Sequence, residues 1–506
     1  MKMWSGRFRE PLDPLFEQWQ RSFPFDWRLL PQEIAASKAH ASALHAAEIL
    51  TTSERDAILR GLDEIGAAFP KDGSAVAPSG HNLDPQLSEK AEDVHHFVEL
   101  ALAARIGDTA LKLHTGRSRN EQIATDLRLY VRSSIDGMIA NLAGWANALV
   151  QQAKLAGGTV MPAYTHLQRA EPVLVAHWLL AYVEMLLRDA ARLQDCRKRL
   201  NLCPLGSGAV AGATLTLDRA QMAAALGFDG PTANSMDATS DRDFVLEFLH
   251  ALSLIALHAS RFAEEITLYA TQEFGLIELP EAFSTGSSAM PQKMNPDFTE
   301  LVRGKTGRIL AAAHAVEMQI KGLPLAYNKD LQELQEPLFD ATERMRVQLY
   351  LLGTFTPLLR FRTDRMSTAS ETGYLNAMAA ATYLVRKGIP FRTAHEIIGN
   401  VVRYALDRKC EMDALMLEEL LRFSRAFAPD FFDAITLEAT LDCHDVPGGT
   451  ARHQVAAALL DAEKRVQGWV KKFGAATHGA TLGYTDGATH KSGTHETKQE
   501  KQHAGA

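Results

Sequence analysis

A loop of glycine, serines and a lysine before a predicted helix is the segment best suited to hold a carboxylate. It reads Gly-Ser-Ser-Ala-Met-Pro-Gln-Lys-Met-Asn-Pro over residues 286–296. Asn295 suits an N-cap and Pro296 the first helical position, so a helix is predicted to begin there. Lys293 then lies just before the positive end of the helix dipole, which favours a bound carboxylate. Glu300, on the first turns of that helix, is free to pair with a histidine from elsewhere in the fold.

Two further segments place polar side chains directly before long predicted helices. Residues 114–120 read HTGRSRN. Two arginines at a helix start are suited to receive an anion, because arginine binds a carboxylate through two hydrogen bonds and the helix end adds N–H donors. A capped loop with surface arginines explains the same residues equally well. Residues 162–168 place Thr165 and His166 before a helix predicted to open at Pro172, although a lone histidine is more often structural than catalytic.

Long helices must position these segments, since helical periodicity dominates the chain. Helices are predicted over 120–155, 172–200, 241–274, 296–321 and 338–352. The 241–274 segment contains no glycine or proline and carries a heptad seam of Val245, Phe248, Leu252, Ile255, Ala259, Phe262, Ile266 and Tyr269. The seam favours packing against other long helices, including helices of other subunits; an intramolecular core helix is the alternative. Strand patterns are scarce, so the predicted fold is mostly α.

Composition and charge are those of an ordinary globular protein. The 506 residues are 46% hydrophobic and 23% charged, which excludes a disordered chain. A net charge of −8 argues against a general nucleic-acid binder. The four cysteines form no CxxC pair, the first residues contain no apolar signal region, and no segment has the pattern of a membrane span. We therefore expect a cytoplasmic protein without nucleic-acid or membrane partners.

Two other features of the sequence bear on function. Glu92, His95 and Glu99 fall on one face of a predicted helix, a spacing that suits metal ligands, although a hydrogen-bonding role is more usual for such a face. No metal site is therefore expected. The segment after about Thr477 lacks apolar periodicity and is predicted to be a disordered tail.

Several of these motifs resemble one known group of enzymes. The 286–296 loop resembles the G-S-S-x-M-P-x-K-x-N-P signature of the fumarase/aspartase superfamily. Within that superfamily, further segments resemble the argininosuccinate lyase family: HTGRSRN at 114–120, the stretch at 161–173, NSMDATSDRDF at 234–244, AYNKDLQ at 326–332, and WSGRF at 4–8. The similarity extends from Trp4 to about Gly474.

This resemblance implies a homotetramer whose central bundle of long helices is completed by tetramerisation. Each chain would have an N-terminal helical domain at 1–115, a long-helix bundle domain at 116–365 and a C-terminal helical domain at 366–475, followed by the tail at 476–506. The active sites would form at subunit corners from segments of three chains. The implied reaction is the cleavage of argininosuccinate to arginine and fumarate in arginine biosynthesis, without a metal or an organic cofactor.

The resemblance also implies roles for individual residues. Ser287 would be the base, and Glu300 the charge partner of the active-site His166. Lys293 and Asn295, with the helix end behind them, would stabilise the doubly charged aci-carboxylate that forms when a proton leaves the carbon beside a carboxylate. The other residues implied to hold substrate are Ser22, His95, Ser118, Arg119, Asn120, Thr165, Tyr327 and Gln332.

One departure from the family pattern bears on the substrate. The family usually carries EDK after AYNKDLQ, with the lysine contacting a substrate carboxylate, whereas this chain has Gln335 at the lysine position. A lyase of the same mechanism acting on another succinyl-amine substrate is therefore an alternative. A non-catalytic, lyase-like structural protein is a third hypothesis, against which the intact set of reactive residues speaks: Ser287, His166, Glu300, Lys293 and Asn295.

Overall fold

The computed structural model describes residues 9–67 and 83–474. Over those residues the chain is mostly helical, which confirms the predicted fold class. The WSGRF segment at 4–8 and the predicted tail at 476–506 lie outside the described residues.

The helices and strands follow one another along the chain in three groups. The first helices are α1 (Pro14–Trp19), α2 (Phe23–Asp26), α3 (Leu30–Ala46), α4 (Thr52–Ala67), α5 (Pro85–Lys90) and α6 (Val94–Ile106). The middle group is α7 (Arg119–Ala156), α8 (Val175–Leu200), α9 (Arg219–Ala225), α10 (Ser235–Ser240), α11 (Asp243–Tyr269), α12 (Asp297–Ile320) and α13 (Gln335–Phe355). The last helices are α14 (Thr363–Glu371), α15 (Ala377–Arg386), α16 (Phe391–Arg408), α17 (Leu417–Leu420), α18 (Asp430–Ala434), α19 (Leu437–Asp442) and α20 (Arg452–Phe473).

Short strands form four two-stranded pairs between these helices. The strands are β1 (Val160–Thr165), β2 (Gln168–Leu174), β3 (Leu202–Cys203), β4 (Gly230–Pro231), β5 (Ile277–Glu278), β6 (Thr285–Gly286), β7 (Met294–Asn295) and β8 (Arg360–Phe361). The pairs are β1 with β2, β3 with β4, β5 with β8 and β6 with β7.

The start of the longest helix shows how local sequence positions the HTGRSRN motif. Ser118 is the N-cap of α7: its hydroxyl accepts the N–H of Asn120, while the Glu121 carboxylate accepts the N–H of Ser118. This reciprocal pair satisfies N–H groups that have no partner inside the helix. The helix ends at Gly157, whose φ of 55° suits a residue without a side chain. The predicted helix over 120–155 is thereby confirmed, and Arg119 and Asn120 lie on its first turn.

Five long helices, α7, α8, α11, α12 and α13, form a bundle in which α7 and α13 start at the same end. We call this end the cleft end. The ring of Tyr130 in α7 lies 5.0 Å from that of Phe339 in the first turns of α13. Helix α8 finishes near the same end, because Arg128 Nη1 donates to the Leu200 carbonyl oxygen at 2.8 Å.

The opposite end of the bundle carries the β1–β2 ribbon, and we call it the hairpin end. Tyr164 of β1 packs on Tyr269 at the end of α11, with ring centroids 5.9 Å apart. Helix α12 starts there, since Phe298 on its first turn lies 4.8 Å from Phe355, the last residue of α13. The five helices therefore run alternately up and down between the two ends.

The heptad seam of α11 packs within its own chain. All eight seam residues, from Val245 to Tyr269, are buried against the other bundle helices. The interpretation that favoured helices of other subunits is therefore wrong, and the intramolecular core is correct. The reason is that α7, α8, α12 and α13 already cover this face. By length and composition alone α11 could cross a membrane, a test that the core helix of a soluble protein also passes.

Truncating a seam residue should therefore destabilise the single chain. Phe262 is fully buried, and its ring lies 5.5 Å from Trp145 and 5.1 Å from Tyr182. Phe262→Ala is expected to lower the free energy of unfolding by about 3–5 kcal/mol, because a cavity replaces the ring. Denaturant unfolding measures this loss, with Arg261→Ala on the exposed face of α11 as the control. Equal stability of the two variants would contradict this placement.

Two predicted helix starts differ from the structure. Pro172 lies in β2, paired with Pro162 of β1, and α8 begins only at Val175. A two-stranded ribbon accommodates proline because each strand has a free edge where no N–H is needed. Asn295 lies in β7 opposite Thr285 and is not an N-cap; Pro296 takes the cap position and α12 begins at Asp297.

Three hydrophobic cores lie among the described residues. The largest joins the first helices, the bundle and α20, and the smallest packs α3 and α7 against α9. A second, smaller core lies within residues 380–435, among α15, α16 and the short helices that follow. The predicted domain limits at 115, 365 and 475 stay a prediction.

Candidate active site

A cleft of about 1400 Å³ opens at the cleft end of the bundle. Its walls come from α1 and α2, the start of α6, the first turn of α7 and the segment that precedes α13. Six residues predicted to hold substrate line it together: Ser22, His95, Arg119, Asn120, Tyr327 and Gln332. The tertiary fold thus brings together residues that are more than 300 positions apart in the sequence.

A buried carboxylate fixes the wall that carries Ser22. The Ser22 hydroxyl donates to Asp26 Oδ2 at 2.6 Å, and the N–H of Val94 donates to Asp26 Oδ1 at 3.0 Å. The first bond fixes Ser22 against its own helix α2, and the second ties α2 to the start of α6. Burial and the nearby Asp93 charge raise the pKa of Asp26 to about 7. Asp26 is therefore a group that can exchange a proton in the cleft wall near neutral pH.

The two arginines of HTGRSRN are both held by carboxylates of the chain itself. Arg117 points inward: its Nη1 donates to Ser37 Oγ at 2.9 Å, and its Nη2 lies 3.8 Å from Glu33. Arg119 lines the cleft and is paired with Asp93. Asp93 therefore orients the Arg119 side chain in the cleft wall before any substrate binds. Ser118 serves as the helix cap and does not appear among the described residues that line the cleft.

The segment before α13 supplies the opposite wall of the cleft. Gln332 donates from Nε2 to the carbonyl oxygen of Gln20 at 3.1 Å, which closes the segment onto α1. Burial raises the pKa of the Tyr327 phenol to about 12, so it stays protonated and can donate a hydrogen bond. Lys329 also lines the cleft, and its positively charged Nζ lies 3.4 Å from Glu92 Oε1. Gln335 also lines the cleft, is only 3% exposed, and its Oε1 has no hydrogen-bond partner among the described residues.

A buried histidine and two acids lie at the back of the cleft. His95 Nδ1 is 2.9 Å from Glu33 Oε2 and 3.7 Å from Asp126 Oδ2, and all three residues are buried. Their ligand atoms lie close enough to hold a cation. The imidazole and carboxylates already face one another, however, and Arg117 supplies positive charge to Glu33. Glu99 joins a different group, 3.3 Å from His114, so the predicted face of Glu92, His95 and Glu99 does not converge on one point.

Sequence reasoning missed the buried acids of this cleft, Asp26, Glu33 and Asp126. A signal was present: Glu33 and Asp126 occupy positions of α3 and α7 that helical periodicity assigns to the core. A charged residue at a core position requires a partner, because an isolated buried charge is costly. Such positions therefore mark candidate site residues in a helical sequence.

Thr165 and His166 lie at the tip of the β1–β2 ribbon, at the hairpin end. Thr165 pairs with Gln168, so His166 and Leu167 form a two-residue turn in which both have positive φ, 54° and 57°. Non-glycine residues in this conformation carry strain, which is often found at functional sites. His166 is exposed beside Leu167, which is 66% exposed. The turn therefore presents a histidine and an apolar side chain outward from the chain.

The serine loop also lies at the hairpin end, where it joins β6 to β7 before α12. The hydroxyl oxygen of Ser287 accepts the backbone N–H groups of Ala289 at 3.2 Å and Met290 at 3.1 Å. Two N–H donors aimed at one oxygen stabilise negative charge on it. The geometry thus favours ionisation of this serine over an ordinary one.

The other predicted residues of the loop are arranged around its base. Lys293 is exposed, and Asn295 Nδ2 is 3.5 Å from Thr285 Oγ1. Glu300 is exposed on α12 and lies 3.8 Å from Arg303, its neighbour one turn on. Within one chain Glu300 has this arginine close by, so its expected histidine partner would have to come from elsewhere.

The two groups of candidate residues lie at opposite ends of the bundle. Helix α13 has 21 residues and runs from Gln335 in the cleft to Phe355 beside Phe283 and Phe298, at the base of the serine loop. At 1.5 Å per residue this helix separates the two ends by roughly 30 Å. One chain therefore does not bring Ser287 or His166 to its own cleft.

The family comparisons cover most of the chain. A family described as lyase matches residues 6–311, and one described as argininosuccinate lyase C-terminal matches residues 374–442. The second match includes the whole hydrophobic core at residues 380–435.

Curated relatives and solved structures agree with these matches. An argininosuccinate lyase of Acidobacterium capsulatum is 66% identical over 466 residues, covering 92% of this chain and 95% of that protein. One of Koribacter versatilis is 54% identical and covers 92% of this chain and 98% of that protein. An EDDS lyase in complex with formate has a TM-score of 0.77 at 27% identity, covering 89% of this chain and 88% of that one. A class II fumarase from Schistosoma mansoni shares the fold, with a TM-score of 0.68 at 14% identity and coverage of 82% and 91%.

Proposed function

The chain belongs to the argininosuccinate lyase family and is a carbon–nitrogen lyase; we propose that it cleaves argininosuccinate to arginine and fumarate in sites that subunits of a homotetramer share. The observation that supports this substrate is the sequence identity, over most of the chain, to two relatives named argininosuccinate lyase. The geometry of the serine loop and of the cleft supports the mechanism.

The reaction is an elimination, and its first step needs a base. Ser287, ionised under the two N–H groups that its oxygen accepts, takes the proton from the carbon next to a substrate carboxylate. The electron pair moves into that carboxylate and forms an aci-carboxylate with two negative charges. Lys293, Asn295 and the N–H groups at the start of α12 stabilise this charge, which is greater in the intermediate than in the substrate.

The second step breaks the carbon–nitrogen bond. The electrons of the aci-carboxylate form the double bond of fumarate, and the bond pair leaves with the guanidino nitrogen, which takes up a proton. We assign the proton supply on this side to His166, with Glu300 of the assembled site as its charge partner. Electrons are neither gained nor lost overall, so the proposed chemistry requires no redox cofactor, and we propose that none takes part.

The substrate is held between the two ends of different subunits. Ser22, His95, Arg119, Asn120, Tyr327 and Gln332 bind it from the cleft, while Thr165 at the ribbon tip and the capped start of α7 behind Ser118 complete the contacts. The separation of the cleft from the serine loop along α13 supports a shared site, because a second, oppositely directed bundle brings a hairpin end to each cleft.

The activity is tested by the absorbance of fumarate when purified protein is added to argininosuccinate. Adenylosuccinate and aspartate serve as comparison substrates. We expect fumarate from argininosuccinate and far less from the other two. Release from adenylosuccinate or aspartate alone would replace the proposed substrate while leaving the mechanism in place.

Gln335 gives a sharper test of substrate binding. A neutral amide in place of the family's lysine forms a weaker hydrogen bond to a carboxylate, by about 1 kcal/mol. Gln335→Lys is therefore expected to lower KM for argininosuccinate several-fold and to increase its dependence on salt, with kcat little changed. Steady-state kinetics at two ionic strengths measure both effects. Glu336→Gln, which adds the same charge at an exposed neighbour, is the control.

Two outcomes for Gln335→Lys would contradict this assignment. A higher KM would mean that Lys329, which lines the same cleft, already supplies the cation. Cleavage of a less charged succinyl amine alone, by both forms, would mean that Gln335 marks a change of substrate.

We also propose a cytoplasmic location. Cys196 and Cys203 are buried free thiols, and the other two cysteines of the chain are unpaired as well. Unpaired thiols suit a reducing compartment.

A further inference from the structure

Only one of the two ring nitrogens of His95 has a hydrogen-bond partner among the described residues. Nδ1 lies 2.9 Å from Glu33 Oε2, whereas Nε2 is buried and has no hydrogen-bond partner among the described residues. The residue itself is only 3% exposed, yet it lines the cleft. A buried polar atom without a partner is costly, which indicates a ligand that pairs with it in the working enzyme.

Glu33 is held in place by three other side chains. Ser37 Oγ donates to Oε1 at 2.5 Å, Gln122 Nε2 donates to the same oxygen at 3.1 Å, and Arg117 Nη2 lies 3.8 Å away. Burial alone would raise the pKa of Glu33, but the charges of His95 and Arg117 outweigh it and hold the pKa well below its usual range. Glu33 therefore stays ionised and cannot turn away from the imidazole.

The groups around His95 determine its charge. Asp126 lies 3.7 Å from Nδ1, but burial and the Glu33 charge raise its pKa well above the usual range, which disfavours a second negative charge beside the ring. Asp93 and Arg119 act on His95 as an ion pair of opposite charges, and Asp26 also interacts electrostatically with the ring. Burial alone would lower the pKa of His95, but Glu33 more than offsets it, and the pKa is raised.

We propose that Glu33 is a positioning residue that holds His95 as an imidazolium and directs its Nε2–H into the cleft, where it donates to a carboxylate of the substrate. That the carboxylate belongs to argininosuccinate rests on the proposed function. The imidazolium is a fixed cation in a wall where Gln335 is neutral. Glu33 sits on α3 and His95 on α6, so their contact also sets the angle at which the ring faces the cleft.

The test with substrate is the pH dependence of KM. In the wild type, KM for argininosuccinate should rise as the pH passes the pKa of His95, because the N–H donor and its charge are lost. Glu33→Gln should move this rise to lower pH, so KM between the two pKa values rises several-fold, while kcat changes less. Glu33→Asp, which keeps the charge, should restore most of the wild-type profile.

Asp189→Asn is the matched control. Asp189 is buried and holds His258 Nδ1 at 2.6 Å, the same kind of pair on the bundle helices α8 and α11. Its loss should change stability but leave the pH profile of KM unmoved. The same profile in Glu33→Gln and the wild type, or a shift of equal size in Asp189→Asn, would overturn the proposal.

A measurement without substrate separates this proposal from the proposed function. Because the folded pKa of His95 is raised, its stabilising charge is fully present below the unfolded pKa of about 6.5 and is lost as the pH rises through the folded pKa. Glu33 is ionised throughout this range. The decrease in Tm caused by Glu33→Gln should therefore be larger at pH 6 than at pH 9. When His95 is also replaced by Gln, the decrease should be the same at both pH values.

The outcomes of the two tests are distinct. A Tm loss that is equal at pH 6 and pH 9 would overturn the imidazolium whatever the substrate is. A pH-dependent Tm loss in an enzyme that does not cleave argininosuccinate would uphold the charge on His95 and overturn the proposed function instead.

Discussion

Ser287→Ala is expected to lower kcat for argininosuccinate cleavage by about 10²–10⁴-fold, the usual contribution of a positioned base. The hydroxyl oxygen that accepts the N–H groups of Ala289 and Met290 is lost, and with it the group that we propose takes the proton. The loop carries no core residue at this point, so fold and assembly should be unchanged. Fumarate release measures the loss, and circular dichroism with light scattering checks the structure.

Ser288→Ala is the matched control for this prediction. Ser288 is the next residue, is exposed, and carries the same hydroxyl. We expect it to keep most of the wild-type kcat. Near wild-type turnover in Ser287→Ala would show that Ser287 is not the base.

Two variants that are inactive alone are expected to recover activity when they are assembled into the same oligomer. Ser287→Ala disables the hairpin end, and Asn120→Ala disables the cleft, which lies roughly 30 Å away along the bundle. If each site joins these ends from different chains, some sites in a mixed tetramer contain neither substitution. Equal mixing of the two variants by denaturation and refolding should therefore restore about a quarter of the wild-type activity.

The control for this experiment uses two variants of the same end. Asn120→Ala and Gln332→Ala both change the cleft, so every cleft in their mixed tetramers carries a substitution and no rescue is expected. Absence of rescue in the mixture with Ser287→Ala would contradict the shared site. Rescue in the control mixture would show that the recovered activity has another source.

The helices and their ends are the part of the fold that can be predicted from the sequence. Helix α7 begins and ends within a residue of its prediction, because Ser118, Glu121 and Gly157 carry local capping signals that depend on few distant contacts. Pro172 shows where such signals fail. A proline before an apolar run suits a helix start, but here it pairs with Pro162 in a ribbon that periodicity did not reveal.

The candidate residues were found by motif, but their buried partners were not. Tyr327 lies in the motif at 326–332, Ser22 and His95 were named from the family resemblance, and the cleft brings the three together. Glu33 and Asp126 belong to no motif, and each contacts His95 only because α3 and α7 pack against α6. A pattern in one helix contains no information about which polar group a neighbouring helix places opposite it.

The sequence by itself determined the mostly helical fold, the serine loop and the candidate site residues, because caps, periodicity and motifs are local. Only the tertiary structure decided where those residues lie. The apolar seam of α11 has the same sequence pattern whether the helices that pack on it belong to the same chain or to another. In the structure, helices of the same chain bury it. The alternating course of the bundle helices then separates Ser287 from the cleft by the length of α13, which is why the site that we propose joins two subunits.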